Sequence, residues 1–255
     1  MRDVQAEEDR RGKVIHKVGV RNVAARIMCG KTSLWGDFSV YVTLPELARG
    51  AHMSRFVEAV QKPQDILTPV RALTHYLNEI ENRHPAEGIF LKLRTHVPFL
   101  LTSPISKKVG CRKIPVELSA NRLKNCMPDY FIRIQIYVTS LCPCSKEISN
   151  YGAHNQRAKV DVRAQITCDV NIDILIRDLY MVGSAPIYPI LKRPDEKFVT
   201  EQAYDNPKFC EDVVRDAASY LESVPNIKNF SVVVESEESI HDHNALAIID
   251  HFKFD

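Results

Sequence analysis

The chain has 255 residues, which at about 150 per domain leaves one large domain or two small modules open. Hydrophobic residues make up 45% and charged residues 26%, a balance that supports a buried core and excludes a disordered or fibrous chain. The 34 basic and 32 acidic side chains leave a net charge of +2, so no global field selects nucleic acid or an anionic membrane, and only a local patch for a small anion remains open.

Residues 1–13 hold Glu7, Glu8, Asp9, Arg10 and Arg11 with no apolar run, unlike a secretory signal or an Arg-rich transit peptide. This stretch is expected to be a flexible, solvated tail, and the protein to be cytoplasmic. From Gly30 to Leu44 the alternation of Phe38, Val40 and Val42 predicts a strand, and residues 51–61 predict a helix through Phe56, Val57 and Val60. A second helix follows Asp65, with Ile66, Leu67, Val70, Leu73, Leu77 and Ile80 as its stripe, and ends near His84-Pro85. Alternation returns over 87–101, 113–123 and 128–141, and again over 157–168. Ile132 to Val138 is the longest apolar run, and Arg133 and Gln135 break it, so it falls far short of the roughly 18 residues of a membrane span.

Helical stretches are predicted over 171–182, 193–203 and 207–223, followed by strands over 227–235 and 245–252. Each half of the chain therefore orders its elements as strands, helices, strands, without a residue-level repeat. The seam is expected where Ser103, Pro104, Ser106 and Gly110 cluster, giving a tail (1–13), a first module (14–110) and a second module (111–255). Grouped strands and grouped helices argue for an α+β fold with antiparallel sheets.

Gly30-Lys31-Thr32 invites a phosphate-loop interpretation, but that motif needs a glycine five positions earlier, where Ala25 stands. A turn opening a strand is the favoured alternative. No G-x-G-x-x-G occurs, so a dinucleotide-binding fingerprint is absent. The seven cysteines are an odd number, and in a reducing compartment most of them are expected to be buried thiols.

Only Cys142 and Cys144 cluster, around Pro143, where a strand is expected to leave its sheet with both thiols on one side. His154 follows beside Gly152. A thiol and an imidazole meeting across a turn suit a transition metal or a nucleophile–base pair, while two buried thiols and a surface imidazole are an equal alternative. Glu211 lies on the flank of its expected helix with Arg215, so a surface ion pair competes with any role in binding. His241 and His243 are placed on one face of an expected strand.

The segment Leu141-Cys-Pro-Cys-Ser-Lys-Glu-Ile-Ser149 with Tyr151-Gly-Ala-His-Asn-Gln-Arg157 resembles the signature of GTP cyclohydrolase type IB. Supporting matches are Arg49-Gly-Ala-His-Met-Ser-Arg-Phe56, Leu191-Lys-Arg-Pro-Asp-Glu-Lys197, Asn206-Pro-Lys-Phe-Cys-Glu-Asp212 and Glu238-Ser-Ile-His-Asp-His243. The resemblance implies a tunnelling fold, two tandem ββααββ-like modules that assemble into barrels, in a homotetramer with interfacial active sites. It also implies one divalent metal per site (Mn2+, Zn2+ or Fe2+) on Cys142, His154 and Glu196, with Asp195 as the helix-terminus competitor of Glu196. Glu211 would hold the guanine of GTP, and His154, His241 and His243 would move protons. Lys107, Arg157, Arg49, Lys108 and Arg112 are the cations available to the triphosphate, with Lys107 and Arg157 preferred.

The implied reaction is hydrolysis of GTP to formate and 7,8-dihydroneopterin triphosphate, the first step of tetrahydrofolate biosynthesis. Three alternatives stand beside it: an Fe2+-dependent archaeal-type cyclohydrolase giving a cyclic phosphate, an NADPH-dependent nitrile reductase, and a binding module around a structural zinc.

Overall fold

The computed structural model describes residues 4–252; Met1 to Asp3 of the expected tail lie outside the described residues. In chain order the elements are β1 (Ile15–Cys29), β2 (Thr32–Leu44), α1 (Met53–Ala59), α2 (Pro69–Arg83), β3 (Gly88–Thr102), β4 (Val109–Leu123), β5 (Asp129–Leu141), α3 (Pro143–Ile148), β6 (Asn155–Ile166), α4 (Ile172–Leu179), β7 (Ala185–Pro186), α5 (Arg193–Asp205), α6 (Cys210–Glu222), β8 (Ile227–Ser236) and β9 (Ala245–Asp250). The protein is α+β.

One nine-stranded sheet, in the order β1-β2-β3-β4-β5-β6-β8-β9 with β7 paired to β5, replaces the expected tunnelling fold of two tandem ββααββ-like modules with antiparallel sheets assembling into barrels. The pairs β1–β2, β2–β3, β5–β7 and β8–β9 are antiparallel. Two compact units are present, but neither is a contiguous half of the chain. The first comprises residues up to His96, Val116–Ile132 and Gln165–Val170, and the second Val97–Pro115, Arg133–Ala164 and residues from Asn171 on. Strands β3 to β6 each contribute residues to both units. The expected seam at Ser103–Gly110 is the turn between β3 and β4 and belongs wholly to the second unit.

In the first unit, α2 is helical for reasons legible in its residues. Pro69 opens it with a preset φ and no N–H to satisfy, and Leu73, Tyr76, Leu77 and Ile80 bury one face. The Asp169 carboxylate accepts from the Val70 and Arg71 N–H groups at 2.8 and 3.3 Å, a cap supplied from far along the chain. Tyr76 meets Phe38 of β2 edge to face, centroids 5.0 Å apart.

Gly30-Lys31 is the turn between β1 and β2: Gly30 has φ +57° and donates its N–H to Asp65 at 3.0 Å. The described part of the expected tail is bonded to residues 47–51. Asp9 N–H donates to Leu47 C=O at 2.9 Å, and Arg49 donates its N–H to Glu7 C=O at 3.2 Å while its guanidinium pairs with the Glu7 carboxylate. β1 itself carries His16, Lys17, Arg21 and Asn22 and has register shifts at Ile15/Val18 and Val20/Val23. Bulges of that kind erase the alternation that reveals the other long strands.

In the second unit, Val213, Val214, Ala217, Ala218 and Leu221 of α6 are buried with Phe230, Val232 and Val234 of β8. Phe99 of β3 stacks on Tyr180 after α4, centroids 5.7 Å apart. No helix among the described residues is long and apolar enough to cross a membrane.

Candidate active site

Four chain segments of the second unit are stitched together around Cys142. At the end of β5, Ser140 Oγ donates to Lys208 C=O at 2.8 Å, and Lys208 N–H donates to Leu141 C=O at 3.0 Å. The start of α6, with Cys210 and Glu211, is thereby fixed within a few residues of Cys142. Cys142 N–H donates to His154 C=O at 3.1 Å, joining the end of β5 to the start of β6. Glu237 N–H donates to Arg157 C=O at 2.9 Å, which adds the end of β8.

The expectation that Cys142 and Cys144 share one face of an extended segment is corrected by α3. Pro143 occupies the first helical position, where its fixed φ and missing N–H favour a helix start, and residues two apart on a helix do not face the same way. Cys142 becomes the N-cap, its Sγ accepting from Ser145 N–H at 3.4 Å, while Cys144 is exposed. Ser145 Oγ donates to Cys142 C=O at 3.1 Å and accepts from His154 N–H at 3.2 Å. One serine thus ties the two expected ligands together.

The His154 ring is held as well. Its Nδ1 lies 2.9 Å from Gln156 Oε1, and Gln156 Nε2 donates to Ser236 Oγ and Glu238 Oε1, both at 3.2 Å. Nε2 of His154 has no partner in this network. Gln156 and Glu238 stand inside the quoted motifs but carry no role in the sequence-level expectations. Their signal was the strand period: Gln156 follows His154 by two at the start of β6 and shares its face.

A cleft of about 340 Å3 is lined by Leu141, Tyr151, Ala153, Asn155, Thr200 and Tyr204 among others, chain neighbours of Cys142 and His154 and not those two residues themselves. Glu196 is exposed in the first turn of α5. It precedes Thr200 by four residues and Ala203 by seven, so it lies on the helix face that lines this cleft further along. Among the described residues no three His, Cys, Asp or Glu side chains already stand together as a metal cluster. Thiolate, imidazole and carboxylate nevertheless suit a divalent ion chemically, and the free Nε2 of a ring anchored through Nδ1 is the usual disposition of a ligating histidine.

Asp195, the neighbour of Glu196, is fully buried. It accepts from the N–H groups of Ile105, Ser106 and Lys192, each at 2.8 Å, and from Ser106 Oγ at 2.5 Å. Burial alone would raise its pKa, but these donors outweigh burial and hold the carboxyl well below its usual range. Asp195 therefore anchors the β3–β4 turn, which carries Lys107, to the start of α5. Lys107 sits in that turn with φ +55° and donates from Nζ to Pro104 C=O at 2.7 Å.

Glu211 accepts from the Cys210 thiol at 3.2 Å, while Arg215 pairs with Asp212 at 3.5 Å, so the competing Glu211–Arg215 surface pair does not form. Burial pushes the Cys210 thiol up to about 12, aided by the charges of Glu211 and Glu238. Arg157 is exposed at the start of β6.

His241 and His243 are not on a strand. They lie in the exposed loop between β8 and β9, their rings stacked with centroids 5.1 Å apart, and His243 Nδ1 is 3.4 Å from Asp242. The acidic, polar run from Glu237 to Asn244 has no apolar face to bury, which leaves it as a loop. Of the remaining cations, Arg49 is committed to Glu7, and Arg112 donates to Ile187 C=O at 3.3 Å and lies 5.9 Å from the Tyr180 ring centroid.

A sequence model described as type I GTP cyclohydrolase folE2 matches residues 1–247. The chain belongs to this family. Its similar relatives include GTP cyclohydrolase FolE2 of Nitrosococcus oceani, 39% identical over 98% of this chain and 95% of the relative, and that of Magnetococcus marinus, 41% identical over 97% and 95%. The folE2 assignment agrees with the resemblance at the level of type I GTP cyclohydrolases, but the tunnelling-fold type IB label attached to it is not what these matches support.

Among solved structures, uricase from Arthrobacter globiformis superposes with a TM-score of 0.50 at 11% identity, over 99% of this chain and 96% of that one. A hyper-thermostable AgUricase mutant gives 0.50 at 11%, over 94% and 93%. These likenesses concern the fold alone and match it to urate oxidases.

Proposed function

We propose that this folE2 family member is a GTP cyclohydrolase that converts GTP to formate and 7,8-dihydroneopterin triphosphate, the entry step of tetrahydrofolate synthesis. The supporting observation is the joined pair Cys142 and His154, with the His154 ring held through Gln156, in a chain about 40% identical to GTP cyclohydrolases over nearly its whole length.

Cys142, His154 and Glu196 would hold one divalent ion, Mn2+, Zn2+ or Fe2+. Such an ion, when bound, makes water acidic enough to attack a carbon such as guanine C8 at neutral pH. The chain's own groups do the rest. Glu211 accepts from the N1–H and exocyclic amine of guanine, a pair of charge-assisted bonds that fixes the base. Its thiol neighbour Cys210 donates to one carboxylate oxygen, Oε2. Lys107 and Arg157 meet the triphosphate.

Addition of water at C8 opens the imidazole ring to a formamide, and a second hydrolysis releases C8 as formate. The ribose, still attached through N9, then rearranges to a 2′-ketone, and the amine freed at N7 condenses with it, losing water to close the pterin ring. Each step moves a proton, for which His241 and His243 are the available imidazoles once His154 is committed as a ligand. The protein acts in the cytoplasm as a homotetramer with sites at subunit interfaces.

Product analysis tests this function. Metal-loaded protein incubated with GTP is expected to give, after oxidation and dephosphorylation, fluorescent neopterin from a linear triphosphate. A cyclic phosphate would favour the archaeal-type reaction. Inertness toward GTP with NADPH oxidation on a deazaguanine nitrile would overturn the proposal in favour of a reductase. A site closed by four protein ligands, with no effect of GTP on melting, would point to a structural zinc.

A further inference from the structure

We propose that Gln156 is the positioning residue of the site: it locks the His154 imidazole in the Nδ1–H form and so presents an unprotonated Nε2 to the reactive centre. The proposal rests on the assignment of His154 to that centre. It follows from the order of donors and acceptors along one chain of hydrogen bonds.

An ionised carboxylate can only accept. The Gln156 side-chain atom 3.2 Å from Glu238 Oε1 must therefore be the amide nitrogen, which also donates to Ser236 Oγ at 3.2 Å. The amide of Gln156 cannot be turned over without setting its oxygen against that carboxylate. Its Oε1 consequently faces His154 Nδ1 at 2.9 Å, and an amide oxygen also only accepts. The proton of a neutral imidazole must then sit on Nδ1, which places the lone pair on Nε2.

Ser239 Oγ, at 3.4 Å from both Gln156 Oε1 and His154 Nδ1, fits the same arrangement by donating to the amide oxygen. The ring's backbone is fixed on both sides, through His154 N–H to Ser145 and His154 C=O to Cys142. What remains to be set is the tautomer, and Gln156 sets it. Glu238, more than 80 residues away in sequence, acts on His154 through this amide.

The test uses the full-length, metal-free protein and long-range 1H–15N NMR of its histidine rings, with His154 assigned by its loss in His154→Ala. Wild type is expected to show the Nδ1–H tautomer. Gln156→Leu is expected to shift His154 toward Nε2–H and to weaken Co2+ binding, followed by its thiolate absorption, by about 10–100-fold. Exchange of the pair, Gln156→Glu with Glu238→Gln, keeps an acceptor at Nδ1 and is expected to restore both the tautomer and the affinity. This rescue separates positioning from a general loss of structure.

A wild-type Nε2–H tautomer, or a leucine variant that keeps both the Nδ1–H form and wild-type Co2+ affinity, would overturn the proposal. Failure of wild type to turn over GTP would instead overturn the proposed function and leave the tautomer result standing.

Discussion

His154 is held at its N–H by Ser145, at its C=O by Cys142 and at its ring by Gln156. Eighty-odd residues later, His241 and His243 stand exposed in the loop before β9, their rings stacked on each other and His243 Nδ1 3.4 Å from Asp242. A ligand must be placed before the reaction begins, whereas a group that carries protons must move between donor and acceptor. The contrast between a pinned and an unpinned imidazole fits the proposed ligand role of His154 and the proposed proton-transfer roles of His241 and His243, and substitutions can break or sharpen it.

The largest effect is expected at the pinned end. Cys142→Ala should lower turnover of GTP by at least about 10³-fold, because a ligand is lost rather than a contact. In the loop, His241→Ala or His243→Ala should lower kcat by about 10²-fold with little change in KM, the size of a lost general acid or base. Thermal melting should not move, since both rings are exposed. A large loss of melting temperature in either loop variant would end the distinction. Glu211→Gln should raise KM for GTP by about 10–100-fold, the loss of a proposed charge-assisted pair to the base.

The turn bearing Lys107 belongs to the pinned class through a different anchor. Asp195→Ala strips four donors of their acceptor and should lower the melting temperature by on the order of 5–10 °C. Hydrogen exchange should show the Ile105 and Ser106 amides losing protection.

The smallest effect is a matter of pH. Burial raises the Asp161 carboxyl, but hydrogen bonds from Arg133 at 2.8 and 2.6 Å and Gln135 at 2.6 Å outweigh it, and the folded pKa lies below its usual value. A depressed carboxyl contributes stability above its unfolded value, near pH 4, and loses it as pH falls through the lower folded value. Urea titrations of Asp161→Asn should therefore show a flatter loss of stability below about pH 4 than wild type, and a steeper one would reverse the sign.

Much of the fold was legible because half-buried strands alternate. Phe38, Val40 and Val42, then Ile89, Leu91 and Leu93, announce β2 and β3, and the stripe from Leu73 to Ile80 announces α2. β1 was hidden by its bulges and polar residues, and α3 by the assumption that Cys142-Pro143-Cys144 stays extended. The continuity of the sheet could not be read, because strands as long as β3 to β6 share their residues between units and a repeated order of elements does not reveal that.

At the site, the motif around Cys142 marked the two residues that the fold joins, Cys142 and His154, while the partners that hold them were not legible. Asp195 reaches Ile105 across 90 residues, and Glu238 reaches Gln156 across 82. Nothing local in sequence marks such pairs, since each is created by the fold and not by its neighbours.

The most direct single measurement is release of formate from GTP labelled with 13C at C8, followed by NMR with Mn2+-loaded wild type and Cys142→Ala side by side. Labelled formate from wild type and none above background from the variant is the expected result. No formate from wild type with Mn2+, Fe2+ or Zn2+, or equal release by both proteins, would contradict the assignment of Cys142 to a cyclohydrolase centre.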